Sequence, residues 1–330
     1  MTQSVFDQGL YFFFENSQLA GILAVHVDDI IHGGNSNFLK SVIKPLSEIL
    51  MFSTEYHMMF EYLGLHLIQN SDFSISVNQT NFTKSIKKIQ LPQKGSIDDL
   101  LSAEAREMFR SAVGQLTWLA GISRPEIAYH VCVAATISSS ATVRDAQQLN
   151  KVIKKVQNST AFITYPSLQF DTIHIRVYTD GSYNSLPNGF SQGGQIVFLA
   201  DAQGNSCPIA WKSSKLRRVV RSALAAETLS LCDGCELAHY LSSLIEPLGI
   251  SKQPVQGYID SQSLFETLGT SSQVQDRRLR VEISALRQMV EDEDVRINWL
   301  PKEKQLADAL TKPTASDKLL VQVLQEGAIL

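Results

Sequence analysis

The strongest constraint on the fold of this chain is a strand pattern that runs into an aspartate. Apolar and polar side chains alternate through residues 173–178, which is the period-two pattern of a half-buried strand. Asp180, Gly181 and Ser182 follow and are predicted to close the strand. An aspartate at such a place is most often a turn former. The pattern nevertheless predicts a carboxylate at the end of a core strand.

A second acid lies in a helical pattern. Glu227 is three residues after Leu224 and four before Leu231, so it lies on the apolar stripe of this helix. A carboxylate that faces the core needs a partner, because burial of an unpaired charge is costly.

Two more acids each follow a strand pattern. Asp260 comes directly after residues 255–259, and it could simply cap the helical pattern that begins at Ser261. Asp308 lies in a helical run after the strand pattern of residues 295–300, where alone it would pass for a solvated acid. The order strand-Asp, helix-Glu, strand-Asp and helix-Asp brings carboxylates together at one end of a mixed sheet. The four acids are therefore predicted to form one site.

The residues around these acids resemble the four acid motifs of the ribonuclease H domain. The matching segments are Tyr178-Thr179-Asp180-Gly181-Ser182, Ala226-Glu227, Ile259-Asp260-Ser261-Gln262 and Ala307-Asp308. Through Trp211–Lys215 and Ala307–Pro313 the chain resembles more closely the ribonuclease H of Pol polyproteins from copia-type (Pseudoviridae) long-terminal-repeat retrotransposons. It departs from that family at Ser261, where Asn is usual, and at residues 277–280, where a Lys-His pair is usual.

This resemblance implies an α/β (α+β) fold, with a mixed five-stranded sheet and flanking helices, that hydrolyses the RNA of RNA·DNA hybrids. It implies that Asp180, Glu227, Asp260 and Asp308 are catalytic and hold two Mg²⁺ ions, for which Mn²⁺ can substitute. Carboxylates offer hard oxygen ligands suited to both ions. Two such ions would activate a water and stabilise the charge that develops on the phosphate. Repulsion among the acids should raise at least one carboxyl pKa.

A run of basic residues separates the first two acids. Residues 202–226 contain no acid, although the whole chain has a net charge of −4. The basic residues of this run are Lys212, Lys215, Arg217, Arg218 and Arg221. Such runs are often solvated faces, but beside an acidic site they favour a groove that follows nucleic-acid phosphates. Ser182 and Ser261 are candidate donors to the 2′-hydroxyls of an RNA·DNA hybrid.

The first half of the chain contains another acidic pair. Strand patterns in residues 9–15 and 19–27 lead to Asp28 and Asp29, which most simply form a hairpin turn. The block resembles the Val-Asp-Asp hairpin of reverse-transcriptase palm domains, where such acids hold Mg²⁺. Nucleotidyl transfer there needs a further aspartate and fingers that lie upstream in that family. Asp28 and Asp29 are therefore not expected to support primer extension alone, and the upstream part of a Pol polyprotein is a candidate partner.

Three regions are predicted. Residues 1–100 correspond to the C-terminal part of the palm, residues 101–167 to a helical thumb or connection, and residues 168–330 to the ribonuclease H-like domain. A helix capped by Ser102 begins the second region, and a break at Pro166 ends it. With 330 residues, 44% of them hydrophobic, the chain is long enough for two domains.

Composition and residue spacing also bear on the location of the protein and on disulfide and zinc sites. No apolar stretch approaches the roughly 20 residues of a membrane span, and no charged-then-apolar leader opens the chain. An intracellular location without membrane contact is expected, either in cytoplasmic virus-like particles or in the nucleus. Cys132, Cys207, Cys232 and Cys235 are too unevenly spaced for a disulfide framework. Cys232, Cys235 and His239 can share a helical face, but no second Cys pair completes a tetrahedral zinc site.

Two alternative functions belong to other classes of protein. The chain could be a non-catalytic nucleic-acid-binding or scaffolding remnant of a truncated retroelement. It could also be a DNA strand-transfer nuclease on the same kind of sheet, but such enzymes normally place their glutamate last, whereas Glu227 comes second.

Overall fold

The amino-terminal residues form an antiparallel sheet. The computed structural model describes residues 1–186, 189–270 and 274–329. Four strands lie side by side in chain order: β1 (Thr2–Gln3), β2 (Leu10–Glu15), β3 (Gln18–His26) and β4 (Asp29–Gly34). His26 pairs with Asp29, so Val27 and Asp28 form the turn between β3 and β4. The hairpin predicted around Asp28 and Asp29 is therefore present.

A continuous helical segment packs on this first sheet. It consists of α1 (Ser36–Phe38), a π-helical stretch (Leu39–Ile43) and α2 (Lys44–Leu50). Phe38 is fully buried with Leu23 and Ile43. Gly21 leaves room for the Phe38 ring, because a Cβ atom there would lie 2.3 Å from it. One aromatic side chain thus anchors the segment.

The second sheet combines strands from distant parts of the chain. Its strands, in spatial order, are β5 (Met59–Tyr62), β6 (Leu65–Gln69), β7 (Ile75–Asn78) and β8 (Ile163–Tyr165), all antiparallel. Between β7 and β8 lie α3 (Thr80–Ser85), α4 (Ala103–Ile122), a 3-10 turn (Pro125–Ile127), α5 (Ala128–Ile137) and α6 (Val143–Gln157). The chain therefore leaves this sheet for a helical region and returns to it at β8.

The helical region has its own apolar core. Phe109 and Leu116 of α4 and Ile153 of α6 are completely buried in it. Ser102 is the N-cap of α4, as predicted, and its hydroxyl accepts a hydrogen bond from the Ala105 N–H at 3.2 Å. Thr142 and Asp145 form a capping box at the start of α6.

The third sheet is the mixed five-stranded sheet predicted from the sequence. The remaining elements are β9 (His174–Ser182), β10 (Gln192–Ala200), β11 (Ser206–Lys215), α7 (Ala223–Ile245), β12 (Val255–Ile259), α8 (Gln262–Gly269), α9 (Arg277–Glu291), β13 (Val295–Trp299) and α10 (Lys318–Glu326). The spatial order is β11-β10-β9-β12-β13; β9, β10 and β11 are antiparallel, while β12 runs parallel to β9 and β13. Short 3-10 turns occur at Phe170–Thr172, Glu246–Leu248, Lys302–Lys304 and Leu306–Leu310.

Both faces of the third sheet are covered. Val177 packs with the residues of α7, α8 and α9, whereas Tyr178 packs with the 3-10 turn Leu306–Leu310 and α10. Neighbouring residues of a strand point to opposite faces, so β9 is buried on both sides from Val177 to Gly181. The strand ends at Ser182, as predicted, but the prediction that it is half-buried was wrong, because both of its faces are covered. The covering on the second face, from the end of the chain, could not be read from the strand pattern.

Helix α7 approaches β9 closely because two glycines leave room. A Cβ atom on Gly181 would lie 2.3 Å from the Ala226 carbonyl carbon and 2.5 Å from the Glu227 nitrogen, both backbone atoms. A Cβ atom on Gly234 would lie 2.4 Å from the Thr179 methyl group. Of the helices in the described part of the chain, α7 included, none combines the length and apolarity needed to cross a membrane.

We expect Gly181→Ala to lower the free energy of unfolding by about 1–3 kcal/mol, because backbone atoms of α7 must move to admit the methyl group. Chemical denaturation measures this. Gly114→Ala is the matched control: Gly114 lies within α4 with no atom within 4 Å of an added Cβ, so alanine there should stabilise the protein by up to about 1 kcal/mol. Equal effects of the two substitutions would contradict the close approach.

Candidate metal centre

The centre is built around a buried carboxylate in the middle of the third sheet. Asp180 lies on β9 opposite Gly194 of β10, and its side chain is 0% exposed. Its Oδ2 accepts a hydrogen bond from the Thr311 hydroxyl, and its Oδ1 accepts one from Lys312 Nζ at 3.1 Å. Both partners come from the segment that follows the turn Leu306–Leu310.

Two further aspartates converge on Asp180. Asp260 directly follows β12, the parallel neighbour of β9, and Asp308 lies in the middle of the 3-10 turn. One carboxylate oxygen from each of the three aspartates lies within 4.8 Å of the other two. Gln305 fixes the turn on the sheet, since its Nε2 donates to the Thr179 carbonyl at 3.0 Å. Three of the four predicted acids therefore form one cluster.

Glu227 reaches the edge of this cluster. It lies in the first turns of α7, and its Oε2 accepts a hydrogen bond from the Gly181 N–H at 3.1 Å. It is not part of the group whose oxygens lie within 4.8 Å of one another. The close packing of α7 on β9 thus places the fourth acid beside Asp180 without bringing it into the aspartate triad.

Lys312 is a member of the centre that the sequence analysis missed. Its Nζ donates to Asp308 Oδ1 at 2.5 Å as well as to Asp180 Oδ1. Lys312 and Thr311 both belong to the segment that carries the copia-type resemblance, but no role was assigned to either. The spacing of four residues between Asp308 and Lys312 is a signal that could have indicated the pair.

The carboxyl groups of the centre have raised pKa values. Burial raises the pKa of Asp180, with Asp308 and Asp260 adding to the effect, while Lys312 and the Thr311 hydroxyl oppose it. Burial, together with the charges of Asp180 and Asp260, raises the pKa of Glu227 to about 9. Burial also raises the pKa of Asp260. These shifts agree with the expectation of at least one raised carboxyl pKa.

The donor set fits a divalent cation. All candidate ligand atoms of the triad are carboxylate oxygens, which suit hard ions such as Mg²⁺ and Mn²⁺. Asp260 Oδ1 is buried and has no hydrogen-bond partner among the described residues. A buried carboxylate oxygen without a partner is costly, and coordination to an ion would remove that cost. The triad can therefore hold a metal.

The predicted basic residues line a groove beside the third sheet. Its volume is about 400 Å³, and Lys212, Lys215, Arg217 and Arg218 contribute to its walls. Acids from α7 and α9 also line it, namely Asp233, Glu236 and Glu282. Arg218 forms an ion pair with Glu282, and Lys215 Nζ lies 3.4 Å from the centroid of the Phe190 ring. The groove is therefore less positive than the sequence run alone suggests.

The groove and the acids lie in adjoining parts of the sheet. Gly194 pairs with Asp180 on one side and with Ser213 on the other, so Lys212 lies two strands away from the acid, roughly 10 Å at the usual strand spacing. Arg221 is exposed just before α7. Because neighbouring residues of a strand point to opposite faces, the Lys212 side chain lies on the α7 face of the sheet, whereas Asp180 and Ser213 face the turn Leu306–Leu310.

The other predicted residues lie elsewhere. Ser182 ends β9, next to the acids in sequence. Ser261, rather than Asp260, is the N-cap of α8, and its hydroxyl accepts from the Leu264 N–H at 3.4 Å. Asp28 and Asp29 are exposed, and the described residues contain no three-acid group that includes them.

Cys232 and Cys235 are buried in the core under α7, and among the described residues no metal-ligand group includes them or His239.

The fold is similar to that of a solved reverse transcriptase. A solved foamy viral protease-reverse transcriptase in complex with RNA/DNA hybrid is similar over 90% of this chain and 37% of that one, with a TM-score of 0.50 and 13% identity. An LC11-RNase H1 in complex with RNA/DNA hybrid is similar over 44% of this chain and 99% of that one, with a TM-score of 0.33 and 20% identity. The predicted fold class is confirmed.

Relatives in sequence indicate the kind of protein more specifically than the solved structures do. The chain is 26% identical, over 94% of its length, to the retrovirus-related Pol polyproteins from transposons RE1 and RE2 of Arabidopsis thaliana. It is 24% identical, over 65% of its length, to the putative transposon Ty5-1 protein YCL074W of Saccharomyces cerevisiae, covering 72% of that protein. No protein-family model matches the chain. The chain is thus similar to Pol polyproteins of transposons, in agreement with the resemblance carried by its motifs, and it spans 22% of the length of the two plant relatives.

We expect the metal-free protein to lose stability as pH rises from about 5 to 9, partly through Glu227. Its folded pKa of about 9 exceeds the ordinary value of 4.5, so its contribution is complete below the ordinary pKa and is lost as pH approaches the folded pKa. Thermal melts in EDTA across this range should show a steeper decline for wild type than for Glu227→Gln, which keeps an acceptor for the Gly181 N–H.

Glu236→Gln is the matched control, because Glu236 lies exposed on the same helix. Its melting temperature should follow the wild-type pH dependence. Parallel curves for wild type and Glu227→Gln would show that Glu227 titrates normally.

Proposed function

We propose that the chain hydrolyses the RNA strand of RNA·DNA hybrids at the acidic centre, as a ribonuclease H. The observation that carries the proposal is the convergence of Asp180, Asp260 and Asp308 within 4.8 Å in a ribonuclease H-like sheet. All four predicted acids lie in the order that the resemblance requires, and the chain's curated relatives are Pol polyproteins.

The four acids have different proposed roles in metal binding, according to their positions. Asp180, Asp260 and Asp308 would hold Mg²⁺, or Mn²⁺ in its place, and Glu227 would complete the set from the edge of the triad. Bound in pairs, such ions activate a water and stabilise the charge that develops on the phosphate. The residues of the chain orient this chemistry: Thr311 holds Asp180, and the Gly181 N–H holds Glu227.

The substrate assignment rests on the basic residues of the third sheet and of the segment that leads to α7. Lys212, Lys215, Arg217, Arg218 and Arg221 are proposed to follow the phosphates of the hybrid, which gives binding that weakens with salt. Ser182 and Ser261 remain candidate donors to 2′-hydroxyls, the groups that distinguish RNA from DNA. Two of the similar solved proteins were determined with an RNA/DNA hybrid.

We expect the purified chain to cut a labelled RNA·DNA hybrid within the RNA strand when Mg²⁺ or Mn²⁺ is present, and EDTA to stop the reaction. Asp180→Asn should remove detectable cleavage while leaving the fold intact, because it keeps the side-chain shape but removes a central metal ligand. Gel analysis of end-labelled RNA measures both results.

Asp171→Asn is the control, since Asp171 is an exposed acid at the opposite end of the strand β9. It should cut as wild type does. Hybrids left intact by wild type across a titration of both metals, with folding verified by circular dichroism, would favour the alternative of a non-catalytic nucleic-acid-binding or scaffolding remnant.

Polymerase activity is not proposed for the chain alone. Asp28 and Asp29 are exposed in a hairpin, and within the described residues no third acid joins them in a metal-binding group, whereas two-metal chemistry needs more ligands. We expect no incorporation of a labelled deoxynucleotide on a primed template. Incorporation that disappears in Asp28→Asn would refute this. The upstream part of a Pol polyprotein is the proposed partner for that chemistry.

Two further assignments depend on the relatedness to Pol polyproteins. We propose that residues 1–100 are the palm part, residues 101–167 the thumb or connection, and residues 168–330 the nuclease domain. We also propose an intracellular site of action, in cytoplasmic virus-like particles or in the nucleus.

A further inference from the structure

Lys312 places a positive charge inside the acidic centre. Its Nζ lies 3.1 Å from Asp180 Oδ1 and 2.5 Å from Asp308 Oδ1, so it contacts two of the three aspartates that can hold a metal. Lys312 has no role in the hydrolysis as proposed so far. A partly buried ammonium with two carboxylate partners makes charge-assisted hydrogen bonds, which are stronger than an exposed ion pair.

The surroundings of Lys312 hold more carboxyl groups than basic groups. Asp180 and Asp308 contact it directly, and its charge also acts on Asp260 and Glu227. Without a cation, carboxylates this close repel one another in a poorly solvated site. Lys312 supplies the cation from the chain itself.

We propose that Lys312 is a positioning residue that holds the aspartates together in the metal-free protein and is displaced when a divalent ion binds. The inference rests on the proposed metal-dependent function and adds a step to it: the ion must compete with a cation that belongs to the chain. The metal affinity of the centre is therefore set in part by Lys312.

The geometry requires such competition. The ammonium hydrogen-bonds the same Asp180 and Asp308 carboxylates that the ion would use, so the two cations cannot both keep these contacts. Two ligands that exclude each other lower each other's affinity by the same factor.

The side chain can leave while its backbone stays in place. The Lys312 side chain is 27% exposed, against 0% for Asp180 and 12% for Asp308. The preceding residue, Thr311, is fully buried and bonded to Asp180. Displacement therefore needs a rotation of one side chain towards solvent.

The test is a Mn²⁺ titration of the full chain, followed by electron paramagnetic resonance of the free ion, without nucleic acid. Lys312→Met removes the charge but keeps an unbranched side chain, and it should bind Mn²⁺ about tenfold more tightly than wild type, a gain of about 1.4 kcal/mol. Lys312→Arg keeps the charge and should remain within about threefold of wild type. Lys302→Met, which removes a charge from an exposed turn, should have no effect.

Thermal melts provide a readout that a merely structural lysine would not reproduce. In EDTA, Lys312→Met should melt below wild type, because the aspartates lose their internal cation. In saturating Mn²⁺ the difference should vanish or reverse, since the ion replaces that cation. A lysine that only packs would lower the melting temperature equally in both conditions. Lys312→Gln, which retains a donor, gives the same comparison if the methionine variant does not fold.

The outcomes separate this inference from the proposed nuclease function. Equal Mn²⁺ affinity in wild type and Lys312→Met, or weaker affinity in the variant, overturns the role of Lys312 even if wild type cuts hybrids. Tighter binding in the variant supports it even if neither protein cuts. If neither protein binds Mn²⁺, the inference fails, and hybrid cleavage by wild type then decides separately whether the nuclease proposal survives.

Discussion

The structure depends on the burial of one carboxylate, Asp180, in the centre of a sheet that is covered on both faces. An isolated buried carboxylate would be strongly unfavourable. Here its two oxygens are met by the Thr311 hydroxyl and the Lys312 ammonium. Burial nevertheless raises its pKa, so the compensation is incomplete. A site with residual negative charge and hard oxygen donors is the environment in which a divalent ion gains most from binding.

The sheet itself is shaped to admit the segment that supplies these partners. A Cβ atom on Gly194 would lie 2.7 Å from both Leu310 Cβ and the Thr311 methyl group. Because Gly194 is the residue opposite Asp180, its missing side chain creates space where the carboxylate needs its partners. Gly181 does the same on the other face for α7 and Glu227. Two glycines thus let three elements meet at one acid.

The sequence predicted the acids of the centre but not the residues that contact them, and the reason is physical. Asp180, Glu227 and Asp260 each lie in or beside a segment whose apolar residues recur with the period of a strand or a helix. This spacing indicates the local secondary structure. The patterns indicated three strands of the third sheet, and the resemblance to ribonuclease H implied the five-stranded arrangement. The contact of Lys312 with Asp180 joins residues 132 positions apart and needed the folded structure to be seen. The acids of the basic groove were hidden likewise, since Glu282 faces Arg218 across a sequence distance of 64 residues. Periodicity does not report contacts between distant segments.

The helical region and the nuclease-like sheet share a framework that runs through β11. The Trp211 indole N–H donates to the Ala120 carbonyl of α4 at 2.7 Å. On the same strand, the Ser213 hydroxyl donates to the Leu310 carbonyl at 2.6 Å, at the end of the turn that carries Asp308. Lys212 lies between these two residues and lines the basic groove. Strand β11 thus hydrogen-bonds to the helical region, lines the groove and supports the turn that carries Asp308. A shift of α4 would therefore move the groove and the acidic centre together.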